Sequence, residues 1–263
     1  MRFVRPAGLA AVLACGLALP VGSAVAPASA RAVAVASAAP SAAAPSAAPS
    51  ALAAPVTAAA APSSSMLRKG ATGAAVRTLQ KRLSALGYWL GAVDGEFGDA
   101  TFHAVVALQK AAGLARDGVV GPATRGALAK GVRPKAVTKK GHVIEVDLKR
   151  QLVLVVDKGR VRRILDASTG SNKWYTAPDG HRAHATTPKG TWRVSWQVDG
   201  WHKSPLGRLY RPKYFHVRGI AVHGYPSVPA YPASHGCVRV TLGAMDMLWS
   251  TKTMRVGTTV RVH

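Results

Sequence analysis

The sequence predicts two folded units of different class, a small three-helix domain followed by a larger β-rich domain. Three observations carry this reading. Residues 66–130 repeat apolar side chains at helical spacing between Asp-Gly turns. From His142 onward the apolar period switches to two. Between them, residues 131–140 (Gly-Val-Arg-Pro-Lys-Ala-Val-Thr-Lys-Lys) are polar and aperiodic and read as a linker.

Two segments without an expected core precede these units. Arg2 and Arg5 lead an apolar run, Gly8 to Leu19, that is short for a membrane span. Ala28-Ser29-Ala30 then offers a cleavage site, so residues 1–30 read as an export signal. Val12-Leu13-Ala14-Cys15-Gly16 is similar to a lipid-attachment box. Its apolar lead-in is very short and the chain stays apolar after Cys15, which ranks a lipid anchor below plain secretion. Residues 31–65, almost entirely Ala, Pro, Ser and Val, have no aromatic anchor and too many prolines for a lasting helix, and read as a disordered tether. The expected location is therefore outside the cytoplasmic membrane.

The chain holds 35 Lys+Arg against 11 Asp+Glu, a formal net charge of +24. The excess is spread over both units, with 13 basic and 4 acidic residues in 66–140 and 19 and 7 in 141–263. For an exported protein the expected counterpart is an anionic envelope polymer, held salt-dependently, and not nucleic acid. Charge kept for solubility alone explains the balance equally well.

In the helical unit, Val76, Leu79, Leu83 and Leu86 share a face that Gly87 closes. Ala104, Val105, Leu108 and Ala112 form a second face ended by Gly113, and a short third helix runs from Pro122 to about Lys130. Asp94-Gly95-Glu96-Phe97-Gly98-Asp99-Ala100-Thr101 recurs as Asp117-Gly118-Val119-Val120-Gly121-Pro122-Ala123-Thr124, an offset of 23 (117 − 94). Each copy reads as a tight turn leading into a helix start.

In the β-rich unit, Ile144, Val146 and Leu148 alternate with Glu145 and Asp147. Leu152, Leu154 and Val156 follow, and Asp157-Lys158-Gly159-Arg160 turns the chain into Val161 to Leu165. Further strands are expected at Thr191 to Trp196, Ile220 to His223, Cys237 to Val240 and Thr258 to Val262. A helix is expected near Leu242 to Trp249, capped by Thr241.

The helical unit resembles a known family. Gly73-x-x-Val76-x-x-Leu79-Gln80-x-x-Leu83-x-x-Leu86-Gly87-Tyr88, Asp94-Gly95-x-Phe97-Gly98-x-x-Thr101 and Leu108-Gln109 through Asp117-Gly118-x-x-Gly121-Pro122-x-Thr124 are similar to the three-helix peptidoglycan-binding domain of cell-wall enzymes. The resemblance implies a cell-wall glycan partner, met beside the Asp-Gly turns.

Of the two cysteines, Cys237 alone remains once the export signal leaves. A solitary thiol in an oxidising compartment cannot form an intramolecular bridge and calls for burial, metal or reactivity as its reason. It lies in Ser234-His235-Gly236-Cys237-Val238-Arg239, fourteen residues after His223. Three readings stand beside one another: a buried structural cysteine, a metal held by His223, His235 and Cys237, and an ionised nucleophile served by a nearby base. An extended Cys237 to Val240 puts Cys237 and Arg239 on one face and Val238 in the core. Gly236 lets the main chain turn closely enough for the Gly236 and Cys237 amides to face an oxyanion. His181 and His184 form an H-x-x-H without an adjacent Glu and read as loop residues. His103 reads as surface or structural, and Trp192, Trp196 and Trp201 as core or cleft wall.

His223-Gly224 followed by Ser234-His235-Gly236-Cys237-Val238-Arg239 resembles the signature of L,D-transpeptidases, with Gln151-Leu152-x-Leu154, Ser168-Thr169-Gly170 and Thr187-Pro188-Lys189-Gly190-Thr191 recurring upstream. The resemblance implies a β-sandwich-like catalytic domain over residues 141–263 that uses no cofactor and forms 3→3 peptidoglycan cross-links. It implies Cys237 as nucleophile, His223 as base and His235 as a pocket-shaping member of the catalytic set. Arg239, Gly236 and Ser234 would then contact the donor stem peptide, and a second stem would be the acceptor. The same scaffold also serves L,D-carboxypeptidases. Two departures matter: ten residues separate His223 from Ser234, shorter than in many members, and Gly224 stands where some have serine. The partner orienting His223 is therefore expected to be a main-chain carbonyl.

Overall fold

The computed structural model describes residues 66–263; the signal and tether expected over 1–65 lie outside the described residues. Three helices come first: α1 (Ala74–Ala85), α2 (Asp99–Ala112) and α3 (Pro122–Ala129). Val76, Leu79, Leu83, Leu86, Ala104, Val105 and Leu108 are all buried, as their spacing predicts. Each fully buried aliphatic side chain of Val or Leu size contributes roughly 1.5–3 kcal/mol.

The repeated turns are closed by two glutamines. Gln80 Nε2 donates to Asp94 Oδ1 (2.7 Å) and Glu96 O (3.0 Å), and its Oε1 accepts the Gly95 N–H (2.8 Å). Gln109 repeats the pattern with Asp117 Oδ1 (2.7 Å), Val119 O (3.0 Å) and the Gly118 N–H (2.9 Å). Gly118 has φ +71°, and a Cβ there would meet the Phe102 ring at 2.1 Å. Any side chain there would strain the backbone and displace the Phe102 ring, so glycine is strongly favoured.

The β-rich domain is a sandwich. One sheet contains β1 (His142–Asp147), β2 (Leu152–Asp157), β3 (Arg160–Asp166), β6 (Gly190–Arg193) and β12 (Thr259–Val262), in the order β3-β2-β1-β12-β6. The other contains β7 (Trp196–Gln197), β9 (Gly207–His216), β10 (Ile220–Gly224) and β11 (Val238–Val240), with β8 (Trp201–Ser204) also paired to β9. Ile144, Val146, Val153 and Val155 pack against Phe215, Ile220, Val222 and Val238 between the sheets. The helix α4 (Leu242–Ser250) adds Met245 and Leu248 to this core, and Thr241 Oγ1 caps it by accepting the Ala244 N–H at 3.2 Å. A separate hairpin joins β4 (Trp174–Thr176) to β5 (Arg182–His184). None of the described helices is long and apolar enough to cross a membrane.

Several elements depart from the expected ones, among them β4, β5 and β8, where no strand was expected. The strand expected over Thr191 to Trp196 is divided: β6 pairs with β12 in one sheet and β7 with β9 in the other, so the chain changes sheets at Val194-Ser195. The ten-residue β9 was not expected, because Pro212 interrupts its pattern. Pro212 is tolerated where the β9–β10 register slips between Val222 and Gly224, beside Arg211 at φ +50°. Cys237 ends the turn before β11 and is not its first residue.

The helical and β-rich parts also share a core. The faces of β2 divide between two clusters: Val153 and Val155 point into the sandwich, while Leu152, Leu154 and Val156 join Leu83, Leu108 and Ile164 against the helices. The outer edge of β3 is covered as well, since Trp89 N donates to Ile164 O (3.0 Å) and Ile164 N to Gly87 O (2.9 Å). Glu145, expected on a polar face, is fully buried and accepts the N–H groups of Val137 (3.1 Å) and Thr138 (2.6 Å). Residues 131–140 have no helix or strand, as expected, yet they are fastened and not loose. Tyr88 Oη donates to Val132 O (2.9 Å) and Arg133 Nη2 to Val161 O (2.5 Å).

Candidate active site

In the parallel pair β10–β11, Val222 lies opposite Val238 and His223 opposite Arg239. Paired residues of parallel strands share a face, so Val222 and Val238 enter the sandwich core while His223 and Arg239 look outward. One step back along the same register, Cys237 falls beside Ala221 on the outward face. All three outward side chains line a cleft of ≈ 780 Å³.

His223 is buried, and its Nδ1 lies 2.9 Å from Gly224 O. A carbonyl only accepts, so Nδ1 carries the proton and Nε2 keeps its lone pair, the tautomer a proton acceptor needs. This is the main-chain partner that Gly224 led one to expect. Burial lowers the His223 pKa to about 4, with the Gly224 bond opposing and Arg239 adding to the shift. The imidazole is neutral at pH 7.

Cys237 is half-buried against Leu209, Tyr214 and Ala221, with Sγ 3.8 Å from Gly219 O. Burial pushes its pKa up, and the Ala221 main chain and Arg239 only partly counter this. Among the described residues no hydrogen bond joins Sγ to His223. The expectation of an ionised sulfur is therefore corrected: the resting pair is neutral thiol and neutral imidazole, because desolvation penalises both charged forms.

The Ser234–Cys237 turn is built by hydroxyls. Ser234 Oγ donates to Cys237 O (2.5 Å) and accepts the Gly236 N–H (3.0 Å). Ser234 and Gly236 line the cleft, but their polar groups are engaged in shaping the turn. Of the two amides expected to face an oxyanion, Gly236 N–H is thus committed elsewhere and Cys237 N–H remains. Gly236 has φ +141°, and a Cβ there would meet Thr186 O at 3.0 Å. Thr187 Oγ1 donates to Gly236 O (2.6 Å) and accepts the Gly170 N–H (2.9 Å). Thr169 O accepts the N–H groups of Ala233 and Ser234, both at 3.0 Å, and Gln151 Oε1 accepts the Thr169 N–H (2.8 Å). The three upstream motifs are thereby accounted for as bracing of one turn.

His235 is exposed and sets its ring 4.5 Å from Tyr175 on β4, so it contacts the hairpin over the cleft. Arg239 places its guanidinium 4.5 Å from the Tyr225 ring centroid. His181 and His184, read as loop residues, belong to the β4–β5 hairpin and line the cleft. Pro178-Asp179-Gly180 was the signal that could have revealed this hairpin. Trp196, stacked on Tyr214 at 3.9 Å, is cleft wall, whereas Trp192 packs on the sandwich core. The cleft is basic: Arg182, Lys203, Arg208, Arg218 and Arg239 line it against one carboxylate among the described residues, Asp179. His103 is structural, its Nδ1 bonded to Asp166 Oδ2 at 2.7 Å.

A β-sandwich with a thiol and an imidazole on one face of a basic cleft defines the class within which the chain is compared. Residues 141–262 match the L,D-transpeptidase catalytic domain, and residues 72–128 match the peptidoglycan binding domain. A solved L,D-transpeptidase from Xylanimonas cellulosilytica (its residues 123–326) is 50% identical with a TM-score of 0.72, covering 75% of this chain and 97% of that one. The chain belongs to the L,D-transpeptidase family. It is also 46% identical over 78 residues to a probable N-acetylmuramoyl-L-alanine amidase of Bacillus licheniformis, covering 29% of this chain and 22% of the relative. Over 92 residues it is 44% identical to a zinc D-Ala-D-Ala carboxypeptidase of Streptomyces albus G, covering 27% and 36% respectively. The chain thus spans about a quarter to a third of the length of these curated relatives.

Proposed function

We propose that this chain is an exported cysteine transpeptidase that forms 3→3 peptidoglycan cross-links through a thioester on Cys237. The observation that carries the proposal is the orientation of His223, whose Nδ1–H is tied to Gly224 O so that Nε2 is the basic atom on the face shared with Cys237. Because the resting pair is neutral, the proton leaves sulfur as the sulfur attacks. Nε2 takes it, and the C–S bond forms at the carbonyl of the third residue of a donor tetrapeptide stem. The Cys237 N–H serves as the donor to the oxyanion in this reading. His223 then returns the proton to the leaving D-alanine amine. An acceptor amine from a second stem, deprotonated by His223, breaks the thioester and restores the thiol.

The basic lining favours carboxylate-bearing stems, with Arg239 holding the donor. His235 shapes the pocket through Tyr175. The helical domain would hold cell-wall glycan, and the overall positive charge suits anionic wall polymers. The test supplies purified stems to the purified protein and reads products by mass spectrometry. Dimers joined through third residues support transfer, trimmed monomers alone mean an L,D-carboxypeptidase, and unreacted stems overturn the reading.

A further inference from the structure

We propose that Lys110, on the helical domain, is a positioning residue for the nucleophile turn of the catalytic domain. This rests on the transpeptidase reading above. Lys110 leaves α2 and enters the catalytic domain with its side chain 0% exposed. Its ammonium donates to Asp166 Oδ1 (2.5 Å), Ala167 O (2.8 Å) and Gln151 O (3.2 Å). Three donors meet three acceptors, and all the acceptors lie across the domain boundary. Burial depresses the Lys110 pKa while Asp166 sustains the charge.

The acceptors adjoin the braces of the turn. Asp166 and Ala167 lead directly into Ser168-Thr169-Gly170. Gln151, whose carbonyl Lys110 holds, binds Thr169 through its side chain: Oε1 accepts the Thr169 N–H (2.8 Å) and Nε2 donates to Thr169 Oγ1 (2.8 Å). Thr169 O in turn holds Ala233 and Ser234, ahead of Cys237. Ser168 exchanges main-chain bonds with Arg239 (3.0 and 2.9 Å), behind Cys237. Gln151 and Thr169 on one side, and Ala167 and Ser168 on the other, therefore link the ammonium to both flanks of the nucleophile.

A second grip comes from the loop that follows α2. Arg116 Nη1 donates to Ala230 O (2.8 Å), and Ser168 Oγ donates to Tyr231 O (2.7 Å) in the same loop. A buried ammonium is a costly way to join two domains where a hydrophobe of equal size would pack. What it adds is direction, since three bonds fix the strand end on which the turn hangs.

The experiment measures D-alanine release from tetrapeptide stems by the full chain, a step common to transfer and hydrolysis. Wild type is assayed first, and its failure to release D-alanine sinks the functional reading instead of this inference. With active wild type, Lys110→Met is expected to lower kcat by between about tenfold and about 100-fold, the scale of an ångström-sized misplacement, with donor KM unchanged. Lys110→Met leaves Asp166 held by His103 alone, and Lys110→Met/Asp166→Asn, which removes that half-paired buried carboxylate, is expected to recover part of the lost Tm while kcat stays low. Wild-type kcat in Lys110→Met, or kcat recovering together with Tm in the double variant, overturns the proposal. So does failure of both variants to fold, because Lys110 then serves the fold alone.

Discussion

The Asp-Gly turns of the helical domain and the Ser234–Cys237 turn of the catalytic domain use one device for opposite ends. In both, a buried polar side chain bonds to nearby main-chain groups and closes a tight bend. The Gln80 and Gln109 amides bind their turns inside the domain and leave no reactive atom behind. The Ser234 and Thr187 hydroxyls engage the main chain of Gly236 and Cys237 and make no bond to the Cys237 sulfur, which lines the cleft. The difference teaches that a motif's polar residues can serve shape in one place and free a neighbour for chemistry in another.

Removing the sulfur should have the largest effect. Cys237→Ser is expected to lower D-alanine release on the order of 10⁴-fold or more, with binding to isolated cell walls unchanged. Loss of wall binding in the same variant would break the separation between the two regions. Next in size, His223→Ala should cost about 10²–10⁴-fold in kcat/KM, measured with the same stems.

The pH profile sharpens this point. With His223 lowered to about 4, the acid limb of kcat/KM should fall near pH 4, and a limb near 6.5 would mean a solvated imidazole. Stability follows the same group. Below pH 6.5 the unfolded imidazole binds a proton that the folded one refuses, so stability is lost as pH falls from about 6.5 to about 4, by about 3 kcal/mol. Denaturant titrations across that window check it.

Leu83→Ala, in the core shared by both parts, should cost about 2–5 kcal/mol. It should lower the melting of helices and sheets together, seen as coincident far- and near-ultraviolet transitions. Two separated transitions would show that the shared core does not couple the domains. The smallest contrast compares the clamps themselves. Gln80→Ala and Ser234→Ala should each cost about 1–3 kcal/mol, but only Ser234→Ala should also reduce D-alanine release.

Much of this was legible from local pattern. The three helices, the β2–β3 hairpin and the Thr241 cap follow from spacing and turn residues, which act within a few positions of the chain. Cys237 and His223 stood out as a lone thiol and an imidazole in a recognisable motif. The strand β9 was hidden because Pro212 breaks its pattern, and only pairing at a bulge accommodates it. Glu145 looked outward-facing because alternation cannot show that a later segment folds over that face. Lys110 gave no signal, since its three partners lie 41 to 57 residues away in the chain.

By itself the amino-acid order determined the three helices, the β1–β3 run with its turn, and which sulfur and imidazole could react. Those properties depend on backbone preference and apolar period, both local quantities. The tertiary structure alone decided that burial pushes the thiol pKa up, that Ser234 and Gly236 build the turn, and that a helix of one domain reaches into the other. Ionisation depends on how much water surrounding atoms exclude, and bracing depends on distances between remote residues. Neither exists until the chain has packed.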